Sequence, residues 1–391
     1  MIQQKYQIEN LEDFLNTELE YNTFEDINII FHSKQLDEKD LSDLFSALSK
    51  CSNLQNLNLN LAYNRIGSKG ISQLGSALIN CKNLQILNLD LFENQLVDDD
   101  VQGICFALAN CTKISNLILG LVNNKIGPQG VFNLVSPLTD CSNLLDLQLD
   151  LGHNGLGAQG AAVIGLELSK FINIQNLTVL LYQNQIGSQG LIDLCSPLVN
   201  CISLKKLVLG VEMNEIDHYG ASKIGQTLSK LINLSNLTLC LGQNQIGDEG
   251  ISGLGCGFVS SSLLSTLVLN LDDNQIGPLG VICLAQSLSS CTNLEKLILS
   301  FRKSLLSSQS VQELCSALIK CNNLFSLTLS LICTNIDEEI LFNLITILGN
   351  YNNLLYFRIV ACDNQISEES KSTLKSKFLK LKKLVFQSVQ L

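Results

Sequence analysis

Segments of a single pattern recur along this chain at multiples of thirty residues: LAYNRIGSKG from position 61, LVNNKIGPQG from 121, LGHNGLGAQG from 151, LYQNQIGSQG from 181, LGQNQIGDEG from 241 and LDDNQIGPLG from 271. A fixed period of this length constrains the fold more than any other feature. A coil of thirty residues cannot bury its own apolar side chains, so successive coils must lie against one another and share a continuous core.

One full repeat, Cys51 to Asn80, reads CSNLQNLNLNLAYNRIGSKGISQLGSALIN. Leu57, Leu59 and Leu61 alternate with polar residues, the signature of a strand with one buried face. Ile71, Leu74 and Leu78 follow at spacings of three and four, an apolar stripe on a helix. The frame predicts twelve strand–helix units over residues 24–391, with residues 384–391 as a closing strand. Residues 1–23 are expected to form a helical N-terminal cap in which Ile8, Leu11, Phe14 and Leu15 cover the first open edge.

The recurrent polar residues have structural readings in this frame. Asn64, Asn94, Asn124, Asn154, Asn184, Asn214, Asn244 and Asn274 end their strands, and their amides should form a ladder that satisfies backbone groups at each turn. Ser304 interrupts the column, and the asparagine of the next repeat is displaced to Asn335. Gly67, Gly127, Gly157, Gly187, Gly247 and Gly277 are expected to supply positive φ where the chain reverses. Ser68, Asp98, Ser188, Asp248 and Ser308 then read as helix N-caps, with Pro128 and Pro278 as helix starts. Pro137 and Pro197 fall late in their helices and predict kinks or early stops. Cys51, Cys81, Cys111, Cys141, Cys201, Cys291 and Cys321 form a column that reads as packing, not thiol chemistry.

No catalytic, cofactor or metal site emerges from this reading. The glycine-rich LGQNQIGDEG is a turn of the array, since a phosphate-binding loop needs the spacing Gly-x-x-x-x-Gly-Lys-Ser/Thr. The three histidines, His32, His153 and His218, stand in different repeats and different columns. The net charge of −11 argues against nucleic acid as a partner. The charge is uneven: residues 1–50 hold eleven acids and four bases, a balance of −7, and residues 371–391 hold six lysines and no acid. The N-terminal stretch has neither a basic start nor an apolar run, so no secretory signal is expected. No apolar stretch is long enough to span a membrane. Fifteen cysteines in such a chain are expected to be reduced thiols.

The pattern LxxLxLxLxxNxIGxxGxxxLxxxL resembles the leucine-rich repeat family, and within it the ribonuclease-inhibitor-like class whose repeats pair a strand with a full helix. One departure stands out: the family's LxLxxN is lengthened here to LxLxLxxN, an insertion of two residues that keeps strand parity and predicts longer strands. This variant is similar to large repeat families of ciliates. The resemblance implies an α/β solenoid, a horseshoe with parallel strands on the concave face and helices on the convex face.

It also implies a non-enzymatic scaffold or adaptor with protein partners and no cofactor or small-molecule substrate. The setting it suggests is cytoplasmic, ciliary or cytoskeletal. The alternative it carries is an inhibitor or regulator of a soluble enzyme or a small GTPase. The residues between the buried leucines, such as Asn58, Asn88, Ile118, Gln148 and Thr178 in one row and Asn60, Asp90, Gly120, Asp150 and Leu180 in the other, face outward and are mostly small, neutral or β-branched. Varied chemistry stands at the strand ends, and the candidate protein-binding residues are Tyr63, Phe92, His153, Tyr182, Glu212, Asp272, Asp273, Arg302 and Lys303, with Arg358 on the face itself.

Overall fold

The computed structural model describes residues 5–17, 20–349, 351–381 and 384–391, and for Lys5, Cys105 and Gln387 the backbone alone. The chain divides into two compact units, residues 1–186 with 200–204 and residues 187–199 with 205–391.

In the first unit the strands Lys5–Ile8, Asp26–Ile30, Asn56–Asn60, Ile86–Asp90, Asn116–Gly120, Asp146–Asp150 and Asn176–Leu180 lie side by side in chain order, all parallel. From Asp26 onward every residue pairs with the one thirty positions away, as Leu57 does with Ile27 and Leu87. The helices Glu38–Leu48, Gly67–Asn80, Gln102–Asn110, Pro128–Val135 and Gly157–Leu168 return the chain between strands and pack on each other.

The second unit repeats the plan. It opens with the helix Gly187–Cys195 and holds the strands Lys206–Gly210, Asn236–Cys240, Thr266–Asn270, Lys296–Ser300, Ser326–Ser330, Tyr356–Val360 and Phe386–Gln390, again in chain order. Its later helices run His218–Leu228, Gly247–Val259, Pro278–Leu288, Ser308–Lys320, Glu338–Gly349 and Glu368–Leu379.

Burial follows the predicted alternation. Leu57, Leu59 and Leu61 are sealed, whereas Asn58 and Asn60 between them are half-buried. Ile71, Leu74 and Leu78 of the helix close the other side of the core. Each such side chain contributes about 1.5–3 kcal/mol. Backbone pairing continues past the strand end: Leu61 N–H donates to Asp90 O and Tyr63 N–H to Phe92 O, both at 2.9 Å.

The asparagine ladder is present. Asn64 Nδ2 donates to Phe31 O, Leu61 O and Ala62 O at 2.7, 2.9 and 3.1 Å. Asn94 Oδ1 accepts from Asn64 N–H at 3.2 Å and Ile66 N–H at 3.1 Å. One amide thus satisfies groups in its own coil and in the one before. The residues on either side, Tyr63 and Arg65, take left-handed φ values of 60° and 53°. That conformation is costly for a residue with a side chain, and the buried amide between them offsets it.

Four sequence expectations need correction. Asn335 does not take up the displaced amide role: register keeps Thr334 in the buried column, where its Oγ1 donates to Leu331 O at 2.9 Å, and Asn335 is exposed. Ser304 Oγ, too short to reach across, is buried without a partner. Among the turn glycines, Gly67, Gly157, Gly187 and Gly247 have positive φ, but Gly127 and Gly277 are extended at −99° and −100°. Both precede proline, which favours extended geometry in the residue before it.

The N-caps also lie elsewhere. Asp37, Asp217, Ser307 and Ser367 cap their helices, one column before the residues expected to do so. Asp98 and Asp248 instead reach into the next coil, accepting from Gly127 N–H at 2.5 Å and Gly277 N–H at 2.6 Å. Finally, residues 5–8 of the segment expected to be helical form a strand that extends the sheet, followed by the short helix Leu11–Leu15. Phe14 is sealed against Tyr21 and Phe24, whereas Ile8, Leu11 and Leu15 are half-buried; residues 1–4 and 18–19 of that segment lie outside the described residues.

The late prolines act as expected. The α-helices stop at Val135 and Cys195, and 3-10 turns Ser136–Asp140 and Ser196–Asn200 carry Pro137 and Pro197. The cysteine column gains a reason. Cys81 Sγ donates to Leu48 O at 3.7 Å and Cys321 Sγ to Leu288 O at 3.3 Å, each in the preceding coil. Burial pushes the Cys81 thiol up to about 12 and the Cys321 thiol up to about 11.

Candidate functional site: an aromatic-walled depression on the strand face

The helices cover one face of the sheet and leave the other open. In the first unit the open face sinks into a depression of about 590 Å³ across the strands from Asp26–Ile30 to Asn176–Leu180. Its floor is the outward row Asn60, Asp90, Gly120 and Asp150, with Asn58, Asn88 and Gln148 beside it. Phe92 and Tyr182, which follow the ends of their strands, line it as well.

Hydrogen bonds fix the floor. Asn60 Nδ2 donates to Asp90 Oδ2 at 3.0 Å. Asn60 Oδ1 accepts from Ala62 N–H at 3.0 Å and Asp90 Oδ1 from Phe92 N–H at 3.1 Å. Asp150 Oδ1 accepts from Gly152 N–H at 3.4 Å. Each side chain therefore pins the first turn of its own loop and keeps acceptor capacity for something else.

Two glycines shape the space. Gly120 stands in the strand between those of Asp90 and Asp150 and leaves a gap there; a Cβ would come within 3.1 Å of Asp90 Oδ1. Gly152 lets the Tyr182 ring lie flat over the backbone, since a Cβ there would stand 2.2 Å from Cζ. Burial pushes the Asp150 carboxyl up to about 6; the Gly152 amide opposes that rise, and the nearby Asp90 charge adds to it.

The predicted site residues fall into separate groups. Phe92 and Tyr182 are brought into the depression. Tyr63 packs edge-on against Phe92 at 4.8 Å, and His153 against Tyr182 at 6.0 Å, so four of the ten form two aromatic pairs at the loop ends. Beside Tyr63 an open cleft of about 970 Å³ runs between the first helix starts, with Glu38 and Lys69 paired across it.

In the second unit Asp273 pairs with Lys303 at 2.8 Å, and Asp272 Oδ1 accepts from Arg302 N–H and Ser300 Oγ at 2.8 and 2.6 Å. Glu212 lies by Cys240, whose thiol burial pushes up to about 11 with a smaller contribution from the Glu212 charge. Arg358 is exposed and donates to Gln390 Oε1 at 3.3 Å. Asp90, Gly120, Asp150 and Gly152 were not among the predicted site residues. Their signal was an acid–glycine–acid run in one outward row at thirty-residue spacing.

Among the described residues no helix is long and apolar enough to cross a membrane, and no group of three or more His, Cys, Asp or Glu side chains is placed to hold a metal ion.

A family model and a solved structure agree with this architecture. The family model described as Leucine Rich repeat matches residues 53–75, 147–165, 233–255 and 265–285. No curated protein matches the chain. Among solved structures, a chain from the Rad7 and Elc1 complex in yeast is similar over 92% of this chain and 80% of its own length, with 18% identity and a TM-score of 0.51. An internalin C2 from Listeria monocytogenes matches 65% of this chain and 83% of its own length, with 22% identity and a TM-score of 0.38.

Each unit is a run of parallel strand–helix coils with one sheet face free of helices. Four of its coils match the leucine-rich repeat model, so the chain carries leucine-rich repeats.

Proposed function

We propose that this chain is a non-enzymatic scaffold that holds a protein partner on the open strand face and the loops at its edge. The observation that carries this reading is the depression between Phe92 and Tyr182, where polar side chains and aromatic walls meet on a surface that no described residue of the first unit covers. Aromatic side chains at the edge of a polar floor are the usual energetic anchors of a protein interface. Tyr63 and His153 extend the candidate surface in the first unit, and Glu212, Asp272, Asp273, Arg302, Lys303 and Arg358 are candidate contacts of the second unit taken by itself.

The ribonuclease-inhibitor-like reading, a regulator that clasps a basic soluble enzyme, is favoured by the two carboxylates Asp90 and Asp150 in that depression. The buried thiols, held in the protonated form by their surroundings, suit a reducing cytoplasm. A ciliary or cytoskeletal assembly is the setting that the repeat variant suggests.

Capture of the partner from cell extract, followed by cross-linking of the purified complex, tests the scaffold. Cross-links that cluster on the loops at Tyr63, His153 and Tyr182 support it. A complex whose cross-links map to the helical side contradicts it.

A further inference from the structure

We infer that the depression receives an arginine side chain presented by the partner protein, its guanidinium entering above Gly120 between Asp90 and Asp150. The inference rests on the scaffold reading and names the chemistry of its contact.

Charge complementarity is the first argument. The depression holds two carboxylates, and no Lys, Arg or His is among the described residues that line it. Asp90 is answered by a neutral amide, Asn60, and Asp150 by a backbone N–H. Neither contact neutralises a charge, so both carboxylates remain able to receive a cation. The same sign excludes a phosphate, a nucleic acid or an anionic lipid surface as occupant.

Geometry narrows the cation. Adjacent strands lie about 4.8 Å apart, so carboxylates on strands either side of one intervening strand are separated by roughly 10 Å at the backbone. A planar fork with five N–H donors can address acceptors on both sides of such a gap at once. A lysine ammonium is a compact point charge and reaches one side well. Phe92 and Tyr182 add faces on which a guanidinium stacks. Gly120 and Gly152 are the two positions where a larger residue would close the gap or displace the Tyr182 ring.

The test uses the full chain and N-acetyl-arginine amide as the probe, followed through the backbone amide signals of Gly120 and Gly152. Saturable shifts with a dissociation constant on the order of 1–10 mM are expected, as befits a single side chain. N-acetyl-citrulline amide, the neutral isostere, should give none, and N-acetyl-lysine amide should bind several-fold more weakly. Two variants carry the control: Asp90→Asn with Asp150→Asn removes the charge, and Gly120→Thr fills the gap in a β-compatible residue while leaving both carboxylates. Both should weaken the arginine probe by about tenfold or more, with the rest of the amide spectrum unchanged.

No saturable shift with arginine, equal shifts with citrulline or lysine, or full binding in the folded variants would each overturn the inference. If the captured partner still binds the Gly120→Thr protein at the strand face, the arginine contact fails and the scaffold stands. If cross-links place the partner on the helical side while the arginine probe binds, the scaffold reading fails instead.

Discussion

The side-chain oxygen of Asn94 accepts the backbone N–H of Asn64, thirty residues earlier, at 3.2 Å. The contact joins two coils through a group that also fixes the turn of its own coil, which couples neighbours wherever the column is intact. Removing one rung should therefore cost more than one hydrogen bond. Asn154 Nδ2 donates to Leu121 O, Leu151 O and Gly152 O at 2.9–3.1 Å, and its Oδ1 accepts from Ile126 N–H at 3.1 Å. Asn154→Ala leaves those buried groups unpaired and should destabilise the protein by about 2–4 kcal/mol. Urea unfolding read by far-UV circular dichroism measures it.

The converse substitution repairs a fault. Ser304 Oγ is buried with no partner, in a position where other coils carry asparagine. Ser304→Asn should restore contacts to the preceding coil and raise stability by about 1 kcal/mol. A lowered melting temperature would show that the neighbouring Thr334 coil has closed the space an asparagine needs.

Asp150 gives the account a pH dependence. Its folded carboxyl sits at about 6, above the ordinary carboxylate range, because burial disfavours the charged form. The folded state therefore holds this proton more tightly than the unfolded state does. The stabilising contribution is complete at pH values below the unfolded pKa of about 4 and is lost as pH rises through 6. Asp150→Asn removes the ionisation, and after allowance for solvent screening it should stabilise the protein by about 1 kcal/mol at pH 7.5. Near pH 4 it should have almost no effect. Equal gains at both pH values would contradict the assignment.

Thiol reactivity separates packing cysteines from accessible ones. Cys51, Cys81 and Cys321 are sealed, and burial pushes their thiols up to about 12, 12 and 11, whereas Cys256 is exposed. Iodoacetamide at pH 8, with sites read by mass spectrometry, should label Cys256 rapidly and the other three only after unfolding. Cys81→Ser should destabilise by about 1–2 kcal/mol through lost packing, and Cys81→Ala by about the same or less.

Much of this fold is legible in the residues. Period-two leucines, the three–four spacing of Ile71, Leu74 and Leu78, and the Asn64 column are each consequences of one coil lying on the next, and each recurs often enough to be read. The misreadings arise where residue identity and column position disagree. Asn335 attracted the ladder role because it is an asparagine, but register delivers Thr334 to the buried site. Ser68 and Asp248 resemble caps, yet the helix start is set one column earlier, so they bond to other groups. The strand Lys5–Ile8 carries no leucine pattern to announce it.

The depression lay beyond the sequence for another reason. It depends on which side chains leave space, Gly120 between two acids and Gly152 beneath Tyr182, and such absences count only once neighbouring coils are in register. The outward row could be written down from the period alone, but not the fact that Phe92 and Tyr182 line the depression across it.

The central claim is that the strand face, not the helical face, holds the partner. The direct measurement compares two double variants of similar apolar loss, each assayed for partner affinity by titration calorimetry. Phe92→Ala with Tyr182→Ala strips the walls of the depression. Phe106→Ala with Leu166→Ala strips two helix residues that are 66% and 59% exposed. The account predicts at least about a tenfold loss of affinity for the first pair and less than about twofold for the second. The reverse order, or unchanged affinity for both, would contradict it.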